Sequence, residues 1–409
     1  MTTNKNGSGE PLPIFDSTEN LLDKPEQMCY TETGVLFMPP KKKYYSYNDI
    51  MDIRAIYRVV IGQRSNGKTF GWCHLALEQY FDTGTASAYV RRLDEMIKPR
   101  IISGLFDPHL DYIKKRSGGD YNGIEYRTNA WTLVRREPDK LGNLVVVAKD
   151  SKPFCRSYAV STVETTKGVD HGKVWSVCFD EFITRSYYLQ NEFVMFQNLL
   201  SSIIRDRGDV NIFLLANTVS KYCPYWREMG LYRIAQQEQG TIDIYQMGKS
   251  GAQIAVEYCA ETGGKKSVSE YFAFDNPQLS MITTGAWEIA SYRHAPPEMS
   301  QHRVHLTFFI DFDGQIIQGD LISYTHGPII FFHPKTTPIK DPDKSIIYSQ
   351  DHTDGNPLHQ IYASVQMCRA QTILYDLMRM QKTFFADNET GEAVAAWMKT
   401  QNLKARAGG

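Results

Sequence analysis

The sequence predicts an α/β fold with a central, mostly parallel sheet, and two stretches carry that prediction. In the first, the β-branched run Val59-Val60-Ile61 leads into Gly62-Gln63-Arg64-Ser65-Asn66-Gly67-Lys68-Thr69, after which Phe70 to Leu77 start a helix. Strand, G-x-x-x-x-G-K-T turn and helix in that order make a phosphate-binding loop. The glycines let backbone N–H groups point inward at phosphate oxygens, and the helix N-terminus adds the positive end of its dipole. In the second, the apolar strand from Val174 ends in Asp180-Glu181-Phe182. An ordinary turn with a surface lysine, or an acidic strand end, would account for either stretch alone. The two together, in this order, point to a P-loop nucleotide-binding fold.

Composition sets the frame. A chain of 409 residues has room for two or three domains. Its 42% hydrophobic and 22% charged residues are those of a globular protein. The 45 basic and 46 acidic residues nearly cancel, so a nucleic-acid partner must be met by local basic patches rather than by an overall field. Seven cysteines form no C-x-x-C pair, which argues against a zinc ribbon or a redox motif and for reduced, mostly buried thiols in a cytosolic protein. No signal-peptide pattern opens the chain, and no apolar run approaches the roughly 18 residues of a membrane span.

Taken in order, residues 1–43 are rich in Asn, Gly, Ser, Thr and Pro and read as a flexible leader ending in Lys41-Lys42-Lys43, a solvated charge run. Tyr44, Tyr45 and Tyr47 precede the loop strand, placed either to pack under the sheet edge or to stack on a base. Ser87 to Val90 is a second strand ending at Arg91-Arg92, on the side where open α/β sheets bind ligands, although a solvated strand end has the same pattern. Leu144 to Val147 and Ser157 to Val163 read as further strands, and Thr165-Thr166-Lys167-Gly168 as a polar loop. Leu199 to Ile204 continues a helix ending at Arg205, and Asn211 to Asn217 is a strand with Asn217 at its carboxyl end.

The residue types define the chemistry. Lys68 suits the β- and γ-phosphates of a bound nucleotide, and the Thr69 hydroxyl suits Mg²⁺. Asp180 can hold the same ion through a water, and Glu181 can take a proton from an attacking water. Asn217 reads as a γ-phosphate sensor or as a strand-terminating turn residue. Arg205, ordinarily a solvated helix end, is the type of residue that in ring-shaped motors reaches a neighbouring subunit's nucleotide.

The ordered set V-I-G-Q-R-S-N-G-K-T, Y-V-R-R, F-D-E-F-I and L-A-N-T-V-S followed by C-P-Y-W resembles the genome-packaging ATPases of phi-29-like bacteriophages, distant relatives of large terminase subunits. The resemblance covers roughly residues 45 to 260. It implies an ASCE-type, RecA-like ATPase using ATP and Mg²⁺. The implied assembly is a homomeric ring, typically a pentamer, docked on the portal (connector) of a procapsid in the host cytoplasm. Such a ring drives double-stranded DNA inward and, in some relatives, works with a structural packaging RNA. Carried over, Gly62 to Thr69 are the Walker A loop, Arg64 matches the family's arginine within it, and Asp180 and Glu181 are the Walker B pair. Asn217 falls in the coupling motif and Arg205 on the trans-acting arginine finger. Lys167 falls in a channel-facing loop, as a DNA-phosphate contact. Where related proteins can carry a lysine after the strand-end arginines, this chain has Leu93-Asp94-Glu95.

The organisation expected is an ATPase domain over 44–262, a helical linker or lid over 263–297, a smaller α/β ribonuclease-H-like domain over 298–400 and a flexible tail over 401–409. The breaker-rich Thr262-Gly263-Gly264-Lys265-Lys266 marks the boundary. In the second half, Val304 to Phe312 alternates as a strand, Asp313-Gly314 signals a hairpin turn and Ile316-Ile317 starts the return. Pro328 to Phe332 makes a third strand, and Leu358 to Met380 carries a helical pattern. By resemblance this domain is a vestigial nuclease. A terminase with a live nuclease would need Asp311 and Asp320, with acids such as Asp351 or Asp354, converging on two metal ions. A non-motor nucleotide-binding protein is the other alternative.

Overall fold

In a computed structural model of the chain, the described residues are 45–166, 172–205, 210–247, 251–260, 287, 290–295, 303–324, 327–349, 355–360 and 367–401. The expected leader, Lys167, the 262–266 boundary, Asp351, Asp354 and the tail beyond Gln401 lie outside them, as does most of 267–297.

Ten strands form the larger sheet: β1 (Tyr57–Gly62), β2 (Ala86–Arg91), β3 (Gly123–Arg127), β4 (Ala130–Pro138), β5 (Leu144–Lys149), β6 (Cys155–Ala159), β7 (Val174–Asp180), β8 (Asn211–Asn217), β9 (Thr241–Met247) and β10 (Ala252–Tyr258). Their order is β3-β4-β6-β2-β7-β8-β1-β10-β9, with β5 pairing β4 to the side. From β6 to β10 every pairing is parallel. One strand, β8, lies between the phosphate-loop strand β1 and the acidic strand β7.

A central parallel strand is covered on both faces, so it reads as an unbroken apolar run. All of β1 is buried. Val60 packs with Trp72, Cys73, Ala76, Leu77 and Tyr80, the helical stripe of α1 (Lys68–Thr83). Val59 and Ile61 point the other way, toward Phe196, Leu199, Leu200 and Ile203 of α2 (Glu192–Ile204). The two helices thus clamp opposite faces of the strands that carry the loop and the acids.

The second sheet has β11 (Val304–Phe312), β12 (Gln315–Tyr324), β13 (Gly327–Pro334), β14 (Ile347–Ser349) and β15 (Thr383–Phe385) in the order β14-β11-β12-β13-β15. β11, β12 and β13 form an antiparallel meander, while β14 and β15 add in parallel at its two edges. Asp313 sits at φ 53 in the two-residue turn, as a tight hairpin of primed type requires. Helices α3 (Arg369–Arg379) and α4 (Asn388–Thr400) bury Leu374, Leu377, Val394 and Trp397 against Phe308, Ile310 and Phe332.

Two expectations need correction. The strand expected over Ser157 to Val163 ends at Ala159, where its ladder with β2 ends; Ser161 N–H instead bonds the Arg92 carbonyl, and Val160 and Val163 turn inward on successive helical turns. The helix expected from Leu358 starts only at Arg369, because Cys368 and Gln371 cap it reciprocally; Pro357–His359 is a separate single turn. Of the expected linker over 263–297 only residues 287 and 290–295 are described; these are not helical, and His294 bridges to Phe385 of the second sheet.

Candidate nucleotide site

The phosphate loop joins β1 to α1, and its two glycines are fixed by different constraints. Gly67 has φ 98 at the N-cap of α1, a conformation costly for any other residue. A Cβ on Gly62 would stand 2.8 Å from the Cβ of Cys259. Loop residues Arg64 to Phe70 line a cleft of about 380 Å³ together with Asp180, Glu181, Ala216 and Asn217. These residues meet because β1, β7 and β8 are parallel and in contact, so their carboxyl ends share one edge.

Lys68 folds back over the loop. Its Nζ donates to the Gln63 carbonyl at 2.8 Å, Asn66 Oδ1 at 3.1 Å and Asn217 Oδ1 at 3.3 Å. Burial lowers its pKa to about 8. Thr69 Oγ1 donates to Asp180 Oδ2 at 3.0 Å, and Tyr89 OH donates to the same oxygen at 2.9 Å. Burial raises the Asp180 pKa against the opposing pull of Arg91. A lysine, a hydroxyl and a carboxylate converging beside a loop of backbone amides are the donor set that phosphate and a divalent cation require.

Beyond Asp180 the backbone turns sharply: Glu181 has φ 57, and its N–H donates to Asp180 Oδ1 at 3.0 Å. Its carboxylate is 57% exposed and paired with Arg91 at 2.5 Å. Arg91 also donates to Tyr89 OH at 3.3 Å. Burial works against the Arg91 charge, but Tyr89, Glu181 and Asp180 outweigh it and raise its pKa.

Sequence reasoning noticed Arg91 and Arg92 but missed what they do. On a strand, neighbours point to opposite faces. Tyr89 and Arg91 therefore face the acids, while Arg92 turns into the core, where its Nε meets Glu192 at 2.8 Å and Nη2 donates to the Phe182 carbonyl at 2.6 Å. The alternation was visible in Y-V-R-R; the partner Glu192, a hundred residues on, was not.

Of the expected site residues, the structure brings Gly62, Gln63, Ser65, Asn66, Gly67, Lys68, Thr69, Asp180, Glu181 and Asn217 into or against one cleft. Arg64 is exposed at its wall. Arg205 is not among the lining residues; it caps the C-terminus of α2, exposed, with φ 41. In the second sheet, Thr307 pairs with Asp320, so Asp311 lies four residues further along its strand, roughly 13 Å away. Asp320 is also occupied by Thr307 at 2.8 Å, Gln318 at 3.1 Å and His333 at 3.1 Å. Among the described residues no three or more His, Cys, Asp or Glu side chains gather into a group that could hold a metal ion, and no helix is long and apolar enough to cross a membrane.

No protein-family model matches the chain. It is 25% identical over 194 residues to the DNA packaging proteins of Bacillus phages PZA and phi29, which is 46% of this chain and 50% of each of theirs. The chain therefore aligns with about half the length of those curated relatives. Among solved structures, a phi-28 DNA packaging motor covers 88% of this chain and 98% of its own at 15% identity and TM-score 0.49. The large terminase ATPase domain of Thermus phage P74-26 covers 61% of this chain and 94% of its own at 14% identity and TM-score 0.38. In sequence, then, this chain is similar over about half its length to the DNA packaging proteins of Bacillus phages PZA and phi29.

Proposed function

We propose that the protein is the ATP-hydrolysing subunit of a viral DNA packaging motor. The observation that carries this reading is the convergence of Lys68, Thr69, Asp180, Glu181 and Asn217 on one cleft, in a chain similar to phage packaging proteins. Lys68 binds the β- and γ-phosphates of ATP, Thr69 and Asp180 hold Mg²⁺, and Glu181 accepts the proton of the attacking water. Mg²⁺ would neutralise phosphate charge there. Asn217 registers the γ-phosphate through Lys68, a role supported by the 3.3 Å hydrogen bond from Lys68 Nζ to its Oδ1. Residues 44–262 serve as the motor domain and 298–400 as a ribonuclease-H-like domain without nuclease activity, a reading supported by the separation of Asp311 from Asp320.

The motor acts as a homomeric ring, a pentamer by resemblance, at the portal of a procapsid in the host cytoplasm, with or without a packaging RNA. Arg205 completes the neighbouring subunit's site, and Lys167 contacts the DNA backbone. Because phosphate contacts carry little sequence information, any duplex is moved, and DNA affinity falls steeply with salt. The test is ATP turnover with and without duplex DNA on material sized for oligomeric state. Stimulation by DNA in an oligomer is expected; an unstimulated monomer would fit a non-motor nucleotide-binding protein. Mixing Arg205→Ala with Glu181→Gln protein should restore part of the turnover that each variant lacks, since a mixed interface can pair an intact acid with an intact arginine. Failure to restore any removes Arg205 from that role.

Lys68 also sets a pH dependence. Burial depresses its pKa to about 8 in the free protein, and bound phosphate favours the charged form. The complex then holds more protons than the free protein above that pH, so affinity is full below about 8 and falls with rising pH, by about tenfold per unit in the limit. Equilibrium nucleotide titrations between pH 7 and 9.5 should show this decline; a flat profile would count against a buried, phosphate-facing Lys68.

A further inference from the structure

We propose that helix α4, which packs on the second sheet, is the output element of the cleft, with Glu392 and Lys399 as positioning residues that transmit nucleotide state to that sheet. The inference rests on reading the cleft as a nucleotide site.

Two chain segments leave that cleft, and both run to α4. The first follows Asn217. Its near end is tied to the phosphate loop, through Asn217 on Lys68 and through Thr218 N–H on the Gly62 carbonyl at 3.3 Å. Its far end is tied to the second sheet. Ser220 Oγ donates to Glu392 at 3.3 Å, Lys221 pairs with Glu389 at 3.1 Å, and Tyr222 OH accepts from Gln315 Nε2 at 2.9 Å. Only Thr218 and Val219 separate the residue that touches Lys68 from the residue that touches Glu392.

The second segment follows Glu181. Its Arg185 carbonyl accepts from Lys399 Nζ at 2.7 Å, and Arg185 Nε donates to the Val219 carbonyl at 2.7 Å, cross-linking the two segments just before they meet α4. Glu392 and Lys399 lie seven residues apart, two turns along one helix. One helix therefore holds the trailing ends of both strands that carry the cleft's acidic and amide groups.

Chemistry makes this contact stiff. Glu392 is only 4% exposed, and besides Ser220 it accepts from Tyr292 OH at 2.9 Å and Ala290 N–H at 3.4 Å. A buried carboxylate that loses a donor is left undersolvated. Ser220 Oγ also lies 3.3 Å from the Tyr222 carbonyl, so its proton is shared between that oxygen and Glu392; if Asn217 and its strand end move when Lys68 turns to phosphate, Ser220 withdraws from Glu392 at that cost, which favours a shift of α4 with it. The coupling is reciprocal: whatever restrains the second sheet also biases the cleft.

The experiment is hydrogen exchange on the full chain, with and without a non-hydrolysable ATP analogue and Mg²⁺, alongside nucleotide affinity. Wild-type protein should change exchange rates of amides within Asn388–Thr400 by about fivefold or more on binding, the lower range of allosteric coupling. Glu392→Gln and Lys399→Met, made separately so that a folding defect in one leaves the other, should bind nucleotide within about twofold of wild type and lose most of that response, a split that a merely structural role would not produce. Wild-type protein that binds nucleotide with unchanged α4 exchange overturns the coupling while leaving the cleft reading intact, as do variants that keep the full response. Absence of nucleotide binding overturns both.

Discussion

Glu181→Gln is expected to lower ATP turnover by roughly 10²–10⁴-fold, the usual contribution of a general base, while nucleotide binding persists. The amide keeps the size of the side chain and its place at the cleft wall, but it cannot take a proton from water. On the proposed reading binding is set elsewhere, by Lys68, Thr69 and the loop backbone, so Lys68→Ala should lose affinity as well as turnover. Single-turnover hydrolysis and nucleotide titration on the same preparations separate the two effects. Retained hydrolysis in Glu181→Gln would end the assignment. The local structure gives the position its character: a non-glycine residue at φ 57 costs of order 1 kcal/mol or more, a kind of strain found disproportionately at functional sites. The 2.5 Å pair with Arg91 holds the carboxylate in one orientation.

Arg92→Ala is expected to destabilise the fold by about 3–5 kcal/mol, because it strands a buried carboxylate. Arg92 and Glu192 are 5% and 3% exposed. Glu192 also accepts from Tyr225 OH at 3.1 Å and Leu189 N–H at 2.8 Å, and Arg92 lies over the Tyr188 ring at 5.0 Å. Removing the arginine leaves those neutral donors to solvate a full charge. A double replacement with apolar residues, Arg92→Met with Glu192→Leu, should recover most of the loss, since a desolvated pair contributes little net stability. Chemical denaturation of the single and double variants measures both; a single variant within about 1 kcal/mol of wild type would mean that water reaches the pair.

The site was legible in the sequence to an unequal degree. The phosphate loop and Asp180-Glu181 are local patterns, each fixed by a strand and the residues directly after it. Parallel topology then brings such strand ends together, so chain order alone was enough to join Lys68, Asp180 and Asn217. Arg91 was seen but not understood, because its partner Glu181 is ninety residues away and only the pairing of β2 with β7 makes them neighbours. The strand expected to run on to Val163 failed for a similar reason. Its β-branched residues favour extension, but the ladder ends with its partner β2, and without that partner the chain turns into a helix.

By itself the sequence determined the residue types of the cleft: which side chains carry charge, which glycines shape the loop and in what order they come. That information is short-ranged, held in glycine placement, strand periodicity and the residue type at each strand end. Only the tertiary structure decided which of two adjacent arginines faces the acids and which is buried on Glu192, and that the segments after Glu181 and Asn217 both end on α4. Those outcomes depend on pairings between residues far apart in the chain, and periodicity carries no record of a partner that folding alone brings within hydrogen-bond reach.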